Sequence, residues 1–280
     1  DVYKRQIPKS YSDVGNLIRF EPNQTGNSVF RYKWVINKYG NIGPNPPSLD
    51  SLITIVGDSY ISNLMNPPEC HQAKILAGLN QDYNFYPMSR DGASFLEFME
   101  MAKTLQKHNP VKQLLFVHDR SFTSSVFELD PQSSTIQISL DQGIIKYAKI
   151  PQDNIRKVIY HYLKFPYFLY RNYFLFPMEN LINIRIISGD RSQSRLDYDS
   201  IKRFLDFVTR NYRIDNIVLV FFPTSNPKLI ELVEKYGFEI CPLKTDDYNS
   251  WLISTGSHWS CHGHEEVAKQ VNRYLLEINN

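Results

Sequence analysis

The chain has few cysteines, almost no net charge and no long apolar run. Only three cysteines (Cys70, Cys241, Cys261) occur in 280 residues, with no Cys-x-x-Cys pair. A disulfide scaffold or structural zinc site is therefore not expected. Nor is one needed, because a chain of this length buries a sizeable core unaided. The 31 Lys and Arg against 29 Asp and Glu leave a net charge of +2. That balance lacks the clustered basic face that nucleic acid requires. No stretch reaches the ~18 consecutive apolar residues of a membrane span. Internal repeats and low-complexity tracts are also missing.

Aromatic side chains are what the chain has in excess: 17 Phe, 18 Tyr and 3 Trp, or 14%. They are unevenly spread, since nine of the 17 residues from Tyr160 to Phe176 are Phe or Tyr. Aromatics at helical spacing ordinarily pack into a core. The functional reading of 160–176 is a lid, or a platform for sugar rings, acyl chains or a membrane surface, with Lys164 and Arg171 keeping it amphipathic. Residues Asp1 to Gln6 look like translated adapter sequence and are set aside. A native signal or anchor upstream is left open, and with it the choice between an envelope-associated and a cytoplasmic setting.

Residues 7–50 read as a polar, turn-rich N-terminal extension, with a strand between Val29 and Asn37. From residue 51 to 280 the pattern is that of one α/β domain. Short apolar runs at Leu52–Val56, Leu114–Val117 and Ile217–Phe222 suit buried parallel strands. Helical spacing follows at Phe95–Leu105, Asp199–Tyr212, Lys228–Tyr236 and after Gly263. Alternation of this kind predicts a flavodoxin-like, three-layer sandwich around a central parallel sheet. Two insertions interrupt it: a hairpin at about 134–150, turning at Asp141-Gln142-Gly143, and an aromatic helical region at about 154–183.

Chemistry concentrates at two places. Gly57-Asp58-Ser59-Tyr60 directly follows the first strand. Ligands in open α/β sheets bind beyond the carboxyl ends of strands. A serine at a helix start there is exposed, in a field that favours negative charge. The plain alternative is a helix cap, for which Ser and Asp are preferred. The second place is His258-Trp259-Ser260-Cys261-His262-Gly263-His264, leading into the last helix. Three histidines raise the question of metal, but Gly263 sits at the helix start and no carboxylate motif accompanies them. No metal and no cofactor are expected.

Gly57-Asp58-Ser59, then Arg90-Asp91-Gly92-Ala93-Ser94, then the final His-Trp-x-x-x-Gly-His resemble, in order and spacing, the SGNH (GDSL-type) hydrolase superfamily. More narrowly, they resemble its bacterial branch associated with envelope polysaccharide modification. The resemblance spans roughly residues 50–278. It implies Ser59 as nucleophile, His258 as general base, and the backbone N–H groups of Ser59 and Gly92 as oxyanion donors. It further implies serine-dependent hydrolysis or transfer of an acyl ester on a small-molecule or glycan substrate.

Two departures stand out. The Asp that such proteins carry two or three residues before the histidine is replaced by Thr255 and Gly256. Asp246, Asp247 or a backbone carbonyl is then the candidate for orienting His258, a role that can be worth ~10⁴ in rate. The Asn oxyanion donor after a strand is also missing from Val117-His118-Asp119-Arg120-Ser121, leaving His118 or Arg120 as candidates. Both gaps point to the alternative reading, a catalytically impaired glycan-binding or assembly module.

Overall fold

The computed structural model of the protein describes residues 10–12, 17–27, 32–38, 40–43, 45, 48–124, 135–140, 144–146, 196–254 and 258–278. By contact, the chain divides into two units: Asp1–Lys149 with Asp197–Asn280, and Ile150–Leu196. The first unit contains everything described below. The expected aromatic helical insertion at 154–183 lies outside the described residues.

Two antiparallel pairs come first, β1 (Ser10–Ser12) with β2 (Ile18–Phe20), and β3 (Thr25–Asn27) with β4 (Lys33–Val35). The main strands are β5 (Leu52–Gly57), β6 (Asn84–Ser89) and β7 (Lys112–Val117). After an antiparallel hairpin of β8 (Gln137–Ser139) and β9 (Ile144–Lys146) come β10 (Ile217–Phe221) and β11 (Glu239–Pro242). The helices are α1 (Ser59–Ser62), α2 (Gln72–Leu79), α3 (Phe95–Leu105), α4 (Asp119–Thr123), α5 (Tyr198–Asn211), α6 (Pro227–Lys235) and α7 (Cys261–Glu277).

The five main strands form one parallel sheet in the order β11-β10-β7-β5-β6. The sheet is flavodoxin-like, and its strand order reverses between β5 and β7. Successive strand residues point to opposite faces. Ile53, Ile55, Leu114, Phe116, Val218 and Val220 meet Ala73 and Leu76 of α2 and Val267, Ala268, Val271 and Leu275 of α7. On the other face Phe221 stacks on Phe122, which stacks on Phe95, with Phe204 edge-on. Each fully buried side chain of this kind contributes about 1.5–3 kcal/mol. The helix starts are fixed by capping side chains: Ser94 with Glu97 on α3, Asp197 on α5, Asn226 on α6 and Ser260 on α7.

Three features depart from the sequence reading. Pro87 masks β6, an edge strand, which is where a strand tolerates proline. The strand expected between Val29 and Asn37 stops at Val35, the end of β4, which pairs back on β3, and Ile36 makes only an isolated bridge to Ile42. The third departure is a disulfide: Cys70 and Cys261 are bonded across 191 residues. A cysteine count excludes a scaffold of many bridges, but it does not exclude one bond made where the fold brings the end of the chain back beside α1. Cys241 is buried and free, its thiol pushed up to about 12 by burial.

The extension packs Trp34, Ile36 and Ile42 with Phe20 and Leu64, the last just beyond α1. Asn41 Nδ2 donates to the Tyr86 hydroxyl at 2.7 Å. This bond ties the extension to β6, the edge strand of the described sheet.

Candidate active site

Ser59 is the first residue of α1, two residues beyond the end of β5. Helix and strand can join this tightly because residue 57 is glycine: a Cβ there would lie 2.4 Å from Ile61 Cγ1. Asp58 fixes the junction from both carboxylate oxygens. Its Oδ1 accepts from Tyr60 N at 3.0 Å, and its Oδ2 meets His118 Nε2 at 3.2 Å. His118 stands at the end of β7, so this contact spans the point where the sheet order reverses.

His258 comes from the opposite end of the chain, and its Nε2 lies 2.8 Å from Ser59 Oγ. That is hydrogen-bond reach for a base taking the hydroxyl proton. With Nε2 accepting, the ring proton sits on Nδ1. Burial lowers the His258 pKa, opposed by the carboxylates of Asp58 and Asp91. The imidazole is therefore neutral near pH 7, the state in which it accepts a proton. Tyr60 lies against it, ring centroids 4.9 Å apart and tilted 32°. Phe222 and Trp259 in turn pack edge-on against Tyr60. The Tyr60 phenol bonds to Tyr248 and is pushed up, mainly by burial, so it remains protonated.

The backbone around His258 is paired with an earlier segment. Ile253 N donates to His258 O at 2.8 Å and Ser260 N to Trp251 O at 2.6 Å, with Leu252 and Trp259 bridged antiparallel. Gly263 lets α7 approach this ladder, since a Cβ there would lie 2.3 Å from Trp251 O.

The loop after β6 carries Gly92 to the same end of the sheet. Arg90 N donates to Gly57 O at 3.2 Å, and Ala93 N turns back to Arg90 O at 3.1 Å. Gly92 occupies the left-handed region (φ +70) that favours glycine, with nothing within 4 Å of where a Cβ would stand. Behind it, Arg90 Nη1 pairs with the buried carboxylate of Glu97 at 2.6 Å. Neither Ser59 nor Gly92 commits its amide N–H to another hydrogen bond among the described residues.

The structure thus brings together Ser59, His258, the Gly92 loop and His118. It puts other candidates to different uses. The Asp247 carboxylate accepts from Asn249 N and Ser250 N, capping the 3-10 turn Tyr248–Trp251, and Asp246 is exposed. The carboxylates whose charge bears on the His258 pKa are those of Asp58 and Asp91. His118 Nε2, considered as an oxyanion donor, is engaged by Asp58. Of the histidines weighed for metal, His262 is exposed, whereas His264 is buried with Nδ1 3.1 Å from Gln72 Oε1. Burial pushes His264 down to about 3. No group of three metal-ligating side chains converges among the described residues. Sequence reasoning overlooked Tyr60 as the wall behind the imidazole and the Arg90–Glu97 pair behind Gly92. The Ser94-x-x-Glu97 spacing was the available signal for the second.

No protein-family model matches the sequence, and curated proteins gave no match. Among solved structures, the chain is similar to a G-D-S-L family lipolytic protein from Desulfitobacterium hafniense DCB-2, at 10% identity and TM-score 0.41, over 80% of this chain and 99% of that one. It is similar to the psychrotrophic esterase EstA from Pseudoalteromonas sp., at 10% identity and TM-score 0.41, over 82% and 100%. A carbohydrate esterase family 2 enzyme from Corynascus thermopiles has 10% identity and TM-score 0.37, over 84% and 68%. Likeness at this level carries no argument about chemistry, which rests on the site's own geometry.

Proposed function

We propose that the chain is an SGNH-type serine esterase acting on acyl esters of a glycan or related small molecule through an acyl-enzyme. The observation that carries this reading is the 2.8 Å contact between Ser59 Oγ and His258 Nε2, made by residues 199 apart in sequence. A serine that served only to cap α1 would have no need of it.

In the reaction, Ser59 Oγ adds to the ester carbonyl carbon as its proton passes to His258 Nε2. The carbonyl π pair moves onto oxygen, where the Ser59 and Gly92 N–H groups are the proposed donors. Collapse of the tetrahedral species expels the alcohol oxygen, which takes the proton from His258 and leaves the acyl group on Ser59. Water, deprotonated by the same imidazole, then attacks the acyl-enzyme; the bond to Ser59 Oγ breaks, Oγ takes the proton back from His258, and the acid leaves. A sugar hydroxyl in place of water makes the second half a transfer.

The position left without an acid before His258 motivates the binding-module alternative, and one experiment separates the two. A fluorophosphonate probe is expected to label wild type and not Ser59→Ala, with p-nitrophenyl acetate turnover falling by on the order of 10⁴-fold or more in the variant. Absence of labelling in both proteins overturns the enzyme reading. Acetylated glycans with and without an acceptor sugar then distinguish hydrolysis from transfer.

A further inference from the structure

The segment that leaves α1 and the segment that carries His258 are fastened together beside the site. Asn63 ends α1 in the left-handed conformation and donates Nδ2 to Cys70 O at 3.0 Å. Asn66 Nδ2 has two hydrogens, and both are used: one bond reaches Asn63 Oδ1 at 2.6 Å, the other Trp259 O at 2.9 Å. Both amides are buried, 4% and 7% exposed. The Cys70–Cys261 disulfide then joins the same two segments covalently. Trp259 and Cys261 are one and three residues beyond His258, and Asn63 is four beyond Ser59.

Both ties meet the base loop within three residues of His258. The approach of Nε2 to Ser59 Oγ then depends on where the His258 backbone lies relative to α1. A misplacement of ~1 Å can cost about 10²-fold in rate.

We propose that the Cys70–Cys261 disulfide, together with Asn66, is a positioning element that sets His258 against Ser59, making turnover sensitive to thiol reductants. The proposal rests on the reading of Ser59 and His258 as nucleophile and base. A dithiol supplies two electrons and two protons to the bond; two thiols form, and the dithiol closes into its own disulfide. The base loop then keeps Asn66 and the short ladder to Trp251 but loses its covalent tie. Disulfides of this kind persist in oxidising compartments, so the device would hold there and loosen in a reducing one.

The test uses the full chain with p-nitrophenyl acetate turnover and fluorophosphonate labelling, well below the melting temperature, with near-ultraviolet circular dichroism reporting the fold. The Cys70→Ser/Cys261→Ser variant is expected to keep its fold and KM while kcat and labelling rate fall roughly 10- to 100-fold. Dithiothreitol should lower wild type similarly, reversibly on reoxidation, and leave the double variant unaffected. Asn66→Ala should act in the same direction. A merely stabilising bridge would lower the melting temperature and leave kcat unchanged. A folded double variant with wild-type kcat therefore overturns the proposal. If that variant does not fold, folded but reduced wild type at full kcat does so. Wild type that neither labels nor turns over refutes the nucleophile-and-base reading itself, and the positioning proposal with it.

Discussion

Ser59 is held by neighbours in sequence. Gly57 permits the turn, the Asp58 carboxylate caps Tyr60 N, and the strand that delivers them is a run of buried apolar residues. Around His258 the ties reach far along the chain as well as nearby: its backbone pairs with Ile253 in the same loop, its neighbour Trp259 is bonded by the distant Asn66, and Cys261 is linked to the distant Cys70. The nucleophile is thus a product of local geometry and the base a product of the tertiary fold. One consequence is that damage remote in sequence should reach the base before the nucleophile.

Substituting the two tight glycines tests this contrast most strongly. At Gly263 an added Cβ meets the Trp251 carbonyl oxygen at 2.3 Å, a backbone atom of the ladder that holds His258. At Gly57 the nearest atom is Ile61 Cγ1 at 2.4 Å, a side-chain atom that a rotamer change can move. Gly263→Ala is expected to cost about 3 kcal/mol in urea unfolding, and Gly57→Ala about 1–2 kcal/mol. The reverse ranking would break the comparison.

The same division decides what was legible in the sequence. Strands β5, β7 and β10 are continuous apolar runs because both faces are covered, and the Gly-Asp-Ser turn marks the nucleophile from its own residues. Strand β6 was not legible, because Pro87 reads as a break unless its place at the sheet edge is known. Asp247 carried a local signal that was passed over, an acid two residues before Asn249 at the start of a turn. For Cys70, Asn66 and Cys261 there was no local signal at all. Nothing in the chemistry of those residues pairs them until the helical crossovers of the parallel sheet bring residues 191 apart within bonding distance.

Gly92 sharpens the contrast at intermediate magnitude, since its loop is local in sequence but locked to Gly57 by Arg90 N. A Cβ at 92 meets no atom within 4 Å, so Gly92→Ala leaves packing intact and opposes only the positive φ. That strain is worth roughly 1–2 kcal/mol and relaxes by rotating the peptide that carries the proposed donor. Turnover is expected to fall about tenfold, with KM and fluorophosphonate binding less affected. Unchanged kcat in a folded variant would remove Gly92 N–H from the oxyanion site.

The smallest effect concerns charge rather than shape. The base is active when neutral, and burial lowers the His258 pKa, so the acidic limb of kcat/KM should lie below pH 6.5. Asp58 and Asp91 both push that pKa upward. Asp58 also caps α1 and engages His118, so replacing it would disturb the nucleophile as well. Asp91 is exposed and, among the described residues, bears on His258 through its charge alone. Asp91→Asn should therefore move the limb further toward acid by a few tenths of a pH unit, roughly, at low salt, fading at high salt as screening removes the field. Paired pH profiles at two ionic strengths measure it. A limb that moves upward would mean that the carboxylate acts on His258 through structure rather than charge, placing the Gly92 loop among the long-range supports of the base.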